Sequence, residues 1–478
     1  MTDAPVPGTV NATHAAGAEP DAVGAATVPD TAADPPGTRV ADASADRSAP
    51  GTRVADVDAT APGAGGLVVD SGRIGAHLAG FAALSEGGPG CTRLAYSRLE
   101  REAHAVFAAH MGALGLAVGT DEAGNTVAEL AGTGEGGAVG TGSHLDTVPQ
   151  GGGFDGIVGV VAAMEVAEVV VRQGVPHRRP WRFVAFAAEE GARFGQACNG
   201  SRMAAGLTGA ADLAGFTDRD GVTMAAAMAA AGLRPDRVDR ARWRPEDWFA
   251  FVELHIEQGE VLRSQGLGIG VVDVISGSTR LRVRVEGRAT HSGGTPMHLR
   301  RDALVTAAEC VVLGDRLARD PQHRGVRVTV GRLGVEPGSI TTVPGAVEFF
   351  VDIRDVDPVR QRATATALAR DFDALARSHG VGLSTEVVAD TSPVLLPGWV
   401  ADHARDACAA LGSAYRVLPS GASHDAQQIN HVVPTGLLFV PSDDGLSHVP
   451  EEFTPTDQIA AGVRVLLETL RRLDGADR

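Results

Sequence analysis

Four short apolar runs, each leading to a histidine or an acid, constrain this chain more than any other feature. They are Ala138–Gly142 before His144, Trp181–Ala188 before Glu189 and Glu190, Phe249–Leu254 before His255, and 435–440 ahead of His448. Runs of this length read as strands buried on both faces. Helical segments separate them. Residues 97–116 place Leu99, Ala103, Val106, Phe107, Met111 and Leu114 at helical intervals, and Ile157–Val171 is a long apolar helix behind a glycine-rich turn. Buried strands alternating with helices predict an α/β fold, which displays functional groups on loops at the strand ends.

Near Val272 the pattern changes. Thr279–Glu286 alternates Leu281, Val283 and Val285 with outward arginines, as a strand with one wet face does. The spacing then predicts a helix at about 301–318, strands at 326–333 and 346–353, a helix at about 358–379 and a strand over Gly382–Val388. Strand, helix, two strands, helix, strand is a ferredoxin-like order. The α/β pattern resumes from about 390. The expected layout is a catalytic domain in two parts, 66–272 and 390–478, interrupted by an α+β domain at 273–389. Residues 1–65 are rich in Ala, Pro, Asp, Gly and Thr, with no Leu or Ile before Leu67. Such a segment buries too little apolar surface to offset its ordering entropy and is expected to be a disordered tail. The tail repeats GTRVAD at 37–42 and 51–56, too few copies for a repeat fold.

Composition removes several classes of function. A net charge of −17 without an arginine-rich stripe disfavours nucleic acid and anionic membrane as partners. No apolar run is long enough to span a bilayer. Cys91, Cys198, Cys310 and Cys408 are far apart and form no C-x-x-C, which suits a reducing, cytoplasmic compartment and argues against thiolate metal sites. The N-terminal segment lacks the basic start and apolar stretch of a secretory signal. All 42 Lys+Arg residues are arginine. That excludes a Schiff-base lysine, a P-loop lysine and a metal pair bridged by a carbamylated lysine. Any two-metal site here is bridged by a carboxylate or water.

The candidate ligands are His144, Asp155, Glu190, His255 and His448. His144 forms H-x-D with Asp146, whose carboxylate is expected to fix one ring nitrogen while the other binds metal. Asp155 either bridges two metals or caps the helix that follows. Glu189 and Glu190 are either a solvated acidic turn or a pair of carboxylates neutralised by cations. Nitrogen and oxygen donors suit zinc, manganese, cobalt or nickel.

The motifs GTGSHLDTVPQGGGFDGIVGV, FAAEEGARFG, LHIEQGEVL, THSGGTPMHLRRDA, VPGAVEFFVDIRD, PSGASHDAQ and SHVPEEF occur in that order. From about residue 70 to the end, the chain resembles the hydantoinase/carbamoylase branch of the M20 metallopeptidases. That branch includes N-carbamoyl-L-amino acid hydrolases, β-ureidopropionases and allantoate amidohydrolases. The resemblance implies a zinc-aminopeptidase-like α/β catalytic domain with an inserted ferredoxin-like lid and dimerisation domain. It also implies two divalent metal ions per subunit, bridged by Asp155. Glu190 and His448 would complete one site, and His144 and His255 the other. Glu189 matches the family's general base. His291 matches a histidine that reaches across a homodimer to the scissile carbonyl oxygen, and Arg354 an arginine that clamps the substrate carboxylate. Gln258 and His424 fall at positions that serve substrate polar groups or bonding behind the site.

Two positions depart from the family pattern. Thr341 stands where the family has asparagine before the VPG turn, and Ser423 replaces a glycine beside His424. Both lie toward the expected substrate end. The expected activity is hydrolysis of the C–N bond of N-carbamoyl-L-amino acids or related ureido acids by metal-activated water. Allantoate hydrolysis, N-deacylation, peptide cleavage and a non-catalytic metal-binding scaffold are the rival readings.

Overall fold

The computed structural model describes residues 66–477, so the Ala/Pro-rich segment 1–65 expected to be disordered lies outside the described residues. The first strands are β1 (Ala117–Thr120), β2 (Thr126–Leu130), β3 (Ala138–His144), β4 (Trp181–Phe186), β5 (Trp248–Ile256) and β6 (Ile269–Ile275). Next come β7 (Gly277–Glu286), β8 (Thr290–His291), β9 (Arg327–Glu336), β10 (Thr342–Val343), β11 (Ala346–Asp355) and β12 (Gly382–Thr391). The last are β13 (Val394–Leu395), β14 (Tyr415–Ser420) and β15 (Thr435–Val440).

One sheet has nine strands in the order β1-β2-β4-β3-β5-β15-β6-β13, with β14 beside β6. Its centre, β4-β3-β5-β15, is parallel throughout. Every residue of β3, β5 and β15 is buried, as the unbroken apolar runs require. Glycine in β3 has a steric cause: a Cβ on Gly142 would sit 1.9 Å from the Val184 carbonyl oxygen. The helix Ile157–Arg172 is buried from Ile157 through Val170, against the sheet and the helices Ser71–Ala83 and Thr456–Gly475. Thr456–Gly475 turns Ile459, Val463, Leu466 and Leu470 inward and Asp457, Arg464 and Arg471 outward, the 3.6-residue period of a surface helix. Glu165 within this core receives Arg73 through two charge-assisted bonds, 2.6 and 2.7 Å, so its charge is buried with a partner.

The chain between β6 and β13 builds a separate antiparallel sheet, β12-β7-β11-β9, with the helices Ala303–Arg319 and Pro358–His379 packed on one face. Leu281, Val283, Val285, Val347, Phe349, Val351 and Ile353 bury there with Cys310, Leu368 and Phe372. The intervening Arg280, Asp352 and Arg354 lie on the other face. The sequence boundaries shift slightly. The expected change at 272/273 falls inside β6, which continues to Ile275 in the large sheet, and 389/390 falls inside β12, which ends at Thr391. Hydrophobic patterning reports burial, and burial does not change where a strand of one sheet leads directly into the next. Among the described residues, no helix is long and apolar enough to cross a membrane.

Candidate metal centre

The carboxyl ends of the four central parallel strands meet, and the candidate ligands meet there with them. His144 is the last residue of β3, and His255 is the penultimate residue of β5. Glu189 and Glu190 follow β4, His448 follows β15, and Asp155 comes from the loop before Ile157–Arg172. Asp155 Oδ1 lies 3.1 Å from His255 Nε2 and 3.6 Å from His144 Nε2. Its Oδ2 lies 3.2 Å from His448 Nε2, which is itself 3.4 Å from Glu190 Oε1. Two donor groups result, His144–Asp155–His255 and Asp155–Glu190–His448, each with its ligating atoms within 4.8 Å of one another. Asp155 is common to both.

Asp155 does not cap the helix after it. The capping position is Gly156, which makes no side-chain cap bond. Gly156 has φ +70°, and a Cβ there would lie 2.4 Å from the His144 ring. Glycine is required at this position for both reasons.

The imidazole tautomers follow from the carbonyl groups behind them. His144 Nδ1 faces the Asp146 carbonyl oxygen at 3.1 Å, and His255 Nδ1 faces that of Ile256 at 2.9 Å. A carbonyl only accepts, so each Nδ1 carries hydrogen, and Nε2, on the Asp155 side, is the nitrogen left to bind a metal once it has lost its proton. Asp146 thus orients His144 through its backbone, where the sequence reading assigned its carboxylate. That carboxylate, 3.6 Å from Nδ1, instead accepts the backbone N–H groups of Glu189 and Glu190 at 2.8 and 2.9 Å. It sets the turn that presents both glutamates.

Asp155, Glu189 and Glu190 are all buried, and their ion-pair partners are histidines. Burial, then the charges of Asp155 and Glu189, push the Glu190 carboxyl well above its ordinary range. Burial opposes ionisation of Asp155 too, but hydrogen bonds with His144, His255 and His448 hold it well below the usual range. Three crowded carboxylates and three imidazoles whose Nε2 atoms face Asp155 fit a pair of divalent cations. A third group, Glu253–His255–His424, differs: Glu253 already accepts the Ser143 hydroxyl at 2.6 Å and the Ala426 N–H at 2.7 Å.

Glu189 sits beside this set, its Oε2 3.9 Å from His144 Nε2. The Cys198 thiol donates to its Oε1 at 2.9 Å. Four non-glycine residues at the site have positive φ: Ala188 (56°), Cys198 (59°), Gln258 (55°) and His448 (62°). Such backbone costs about 1–3 kcal/mol per residue and gathers where geometry serves function.

A cleft of about 640 Å³ opens beside Gln258, Ser447 and His448 and reaches Arg354. Arg354 donates from Nε to Asp352 at 2.7 Å and from a terminal nitrogen to the Gly421 carbonyl at 3.1 Å. It occupies β11, an interior strand of the four-stranded sheet. Gln258 turns its amide nitrogen to Asp155 Oδ2 at 2.6 Å, behind the ligands. His424 is buried, bonded to the Ser420 hydroxyl at 2.9 Å and with its ring 4.5 Å from that of His255. Thr341 is exposed, its carbonyl receiving the Ser292 N–H at 2.9 Å. His291 is exposed on β8 and does not line the cleft.

The contacts of Cys198, Ser447 and Glu452 with the site escaped the sequence reading. Glu452 lies in the SHVPEEF motif four residues after His448, which is the one signal that points to it.

Comparison with known proteins matches this geometry to a family. The Peptidase family M20/M25/M40 model matches residues 140–472. The chain is 40% identical over 403 residues to an N-carbamoyl-L-amino-acid amidohydrolase of Paenarthrobacter aurescens, covering 84% of this chain and 98% of that protein. It is 36% identical over 401 residues to the allantoate amidohydrolase of Escherichia coli, covering 83% and 95%. A crystal structure of a hydantoinase/carbamoylase family amidase from Burkholderia multivorans superposes with a TM-score of 0.77 at 31% identity, covering 86% and 100%. The chain belongs to the M20 metallopeptidase family, in its hydantoinase/carbamoylase branch.

Proposed function

We propose that the chain is a two-metal amidohydrolase that cleaves the C–N bond of linear ureido acids, N-carbamoyl-L-amino acids foremost. The observation that carries this reading is one shared carboxylate, Asp155, between two donor groups beside a cleft that holds Arg354. His144 and His255 would hold one divalent ion with Asp155, and Glu190 and His448 the other. When bound, such ions polarise a carbonyl and lower the pKa of water to about 7. Glu189 is the base: its Oε2 takes the proton from the attacking water and passes it to the leaving nitrogen. Burial raises the Glu189 carboxyl, while the His144 charge and the Cys198 hydrogen bond oppose the rise. A base poised nearer neutrality transfers protons in both directions. Arg354 would pair with the substrate carboxylate and set the distance from that anchor to the scissile bond.

His291 would supply the oxyanion donor. Its Nδ1 accepts the N–H groups of Gly293 and Gly294, each at 3.1 Å. In the neutral ring the proton is therefore on Nε2, exposed and free to donate. Because His291 does not line its own chain's cleft, we assign it to the cleft of a second subunit. The sheet with β9 at its open edge would then be both lid and dimerisation surface, with exposed Val305, Val312 and Leu333 near that contact.

Ammonia or amine release from N-carbamoyl amino acids, allantoate, N-acyl amino acids and dipeptides tests the reading, using protein loaded with zinc, manganese, cobalt or nickel. Turnover confined to ureido acids agrees with it. Turnover of dipeptides alone contradicts it.

A further inference from the structure

Arg327 and Arg354 are directly opposed across β9 and β11. They share the sheet face that lines the cleft, and both reach Gly421. Arg354 bonds to the Gly421 carbonyl, and the Arg327 guanidinium lies 3.1–3.5 Å from where a Cβ on Gly421 would be. Like charges placed opposite each other in a sheet repel. Arg354 is compensated by Asp352, which also takes Arg280 at 3.2 Å. The Arg327 guanidinium has no hydrogen-bond or ion-pair partner among the described residues.

Other charges on the cleft wall do not serve Arg327. Arg416 donates to Gln265 Oε1 at 2.7 Å. The Glu257 oxygens accept the N–H groups of Val261 and Leu262 at 2.8 and 2.9 Å. Glu260 also lines the cleft but forms no ion pair with Arg327 among the described residues. An uncompensated guanidinium beside another, facing a cleft that leads to the ligands, calls for an anion.

We propose that Arg327 determines specificity, forming with Arg354 a two-arginine site for a ureido acid that carries two carboxylates. This inference rests on the amidohydrolase reading above. Arg354 takes the carboxylate next to the scissile ureido nitrogen, and Arg327 takes the side-chain carboxylate. The substrate class is the N-carbamoyl derivative of an acidic amino acid. Arg327 is exposed, so water screens the pair, and the preference over a neutral isostere is about ten-fold, near the lower end for a charge-assisted bond.

The test measures binding apart from turnover. Metal-loaded Glu189→Gln protein is titrated by calorimetry with N-carbamoyl-L-aspartate and N-carbamoyl-L-asparagine, and with the glutamate and glutamine pair. The acid is expected to bind about ten-fold more tightly than its amide in at least one pair. Adding Arg327→Ala is expected to collapse that ratio toward one, and Arg327→Lys to keep part of it. Equal binding of acid and amide in both pairs, including no measurable binding of either, overturns the proposal. A ratio that survives Arg327→Ala overturns it as well. Wild-type turnover of N-carbamoyl-L-alanine is measured in parallel, because its absence counts against the amidohydrolase reading and leaves the Arg327 ratio to be judged separately.

Discussion

Glu452 accepts the backbone N–H of Asp155 at 2.9 Å, across 297 positions of sequence. Its other oxygen accepts the Ser447 hydroxyl at 2.9 Å and the His448 N–H at 3.2 Å. One carboxylate therefore fixes the shared acid and a candidate histidine ligand from the far end of the chain. Groups that orient metal ligands commonly contribute about 10–100-fold in affinity. Glu452→Ala is expected to weaken metal binding by that factor, read by elemental analysis after dialysis against graded chelator. Unchanged occupancy would leave Glu452 with no part in holding the metals.

Glu189 and Glu190 are neighbours with different expected roles. Glu189→Gln is expected to keep its metals and lose about 10²–10⁴-fold in kcat, the usual worth of proton transfer by a positioned group. Glu190→Gln is expected to lose metal first. Metal content and kcat measured together on each variant decide the assignment, and exchanged phenotypes would reverse it.

The proposed two-subunit site predicts complementation. Glu189→Gln and His291→Ala homodimers are each expected to be nearly inactive. Refolded as an equal mixture, about half the dimers are mixed, and each mixed dimer holds one intact site. Activity is then expected at roughly a quarter of wild type. Verified mixed dimers as inactive as their parents would place His291 outside the partner's site.

Without lysine, alkaline titration of this protein falls mainly on its four cysteines and two tyrosines. Burial pushes the Cys310 and Cys408 thiols up to about 12. Unfolded, a thiol titrates near about 8.5. Between those values the folded chain keeps a proton that the unfolded chain releases. Stability is therefore full below about pH 8.5 and falls as pH rises toward 12. The melting temperature is expected to fall from pH 8 to 10.5, and less steeply in Cys310→Ala and Cys408→Ala. The slope is the test, since the cavity left by each substitution lowers stability at every pH. Identical slopes in wild type and variants would contradict the assignment.

Sequence made the strand ends legible because buried parallel strands are predominantly apolar, and β3, β4, β5 and β15 are so with few polar interruptions such as Arg182 and Glu253. The candidate ligands at those ends were legible for the same reason. What stayed hidden depends on contacts between distant segments. Nothing local marks Glu452 as a partner of Asp155, Cys198 as a donor to Glu189, or Arg327 as opposed to Arg354. Asp146 was recognised as the partner of His144, but an H-x-D spacing does not reveal that its carbonyl as well as its carboxylate lies beside the ring. The positive φ of Ala188, Gln258 and His448 had no signal, since none is glycine.

Metal titration tests the central claim most directly. Apo protein prepared with chelator is titrated with manganese or zinc while bound metal and hydrolysis of an N-carbamoyl amino acid are followed together. Two equivalents per chain are expected, with full activity only when both are bound, and Asp155→Asn is expected to lose both sites. Full activity in protein shown by elemental analysis to be metal-free, or two tight equivalents retained by Asp155→Asn, would contradict a centre built on Asp155.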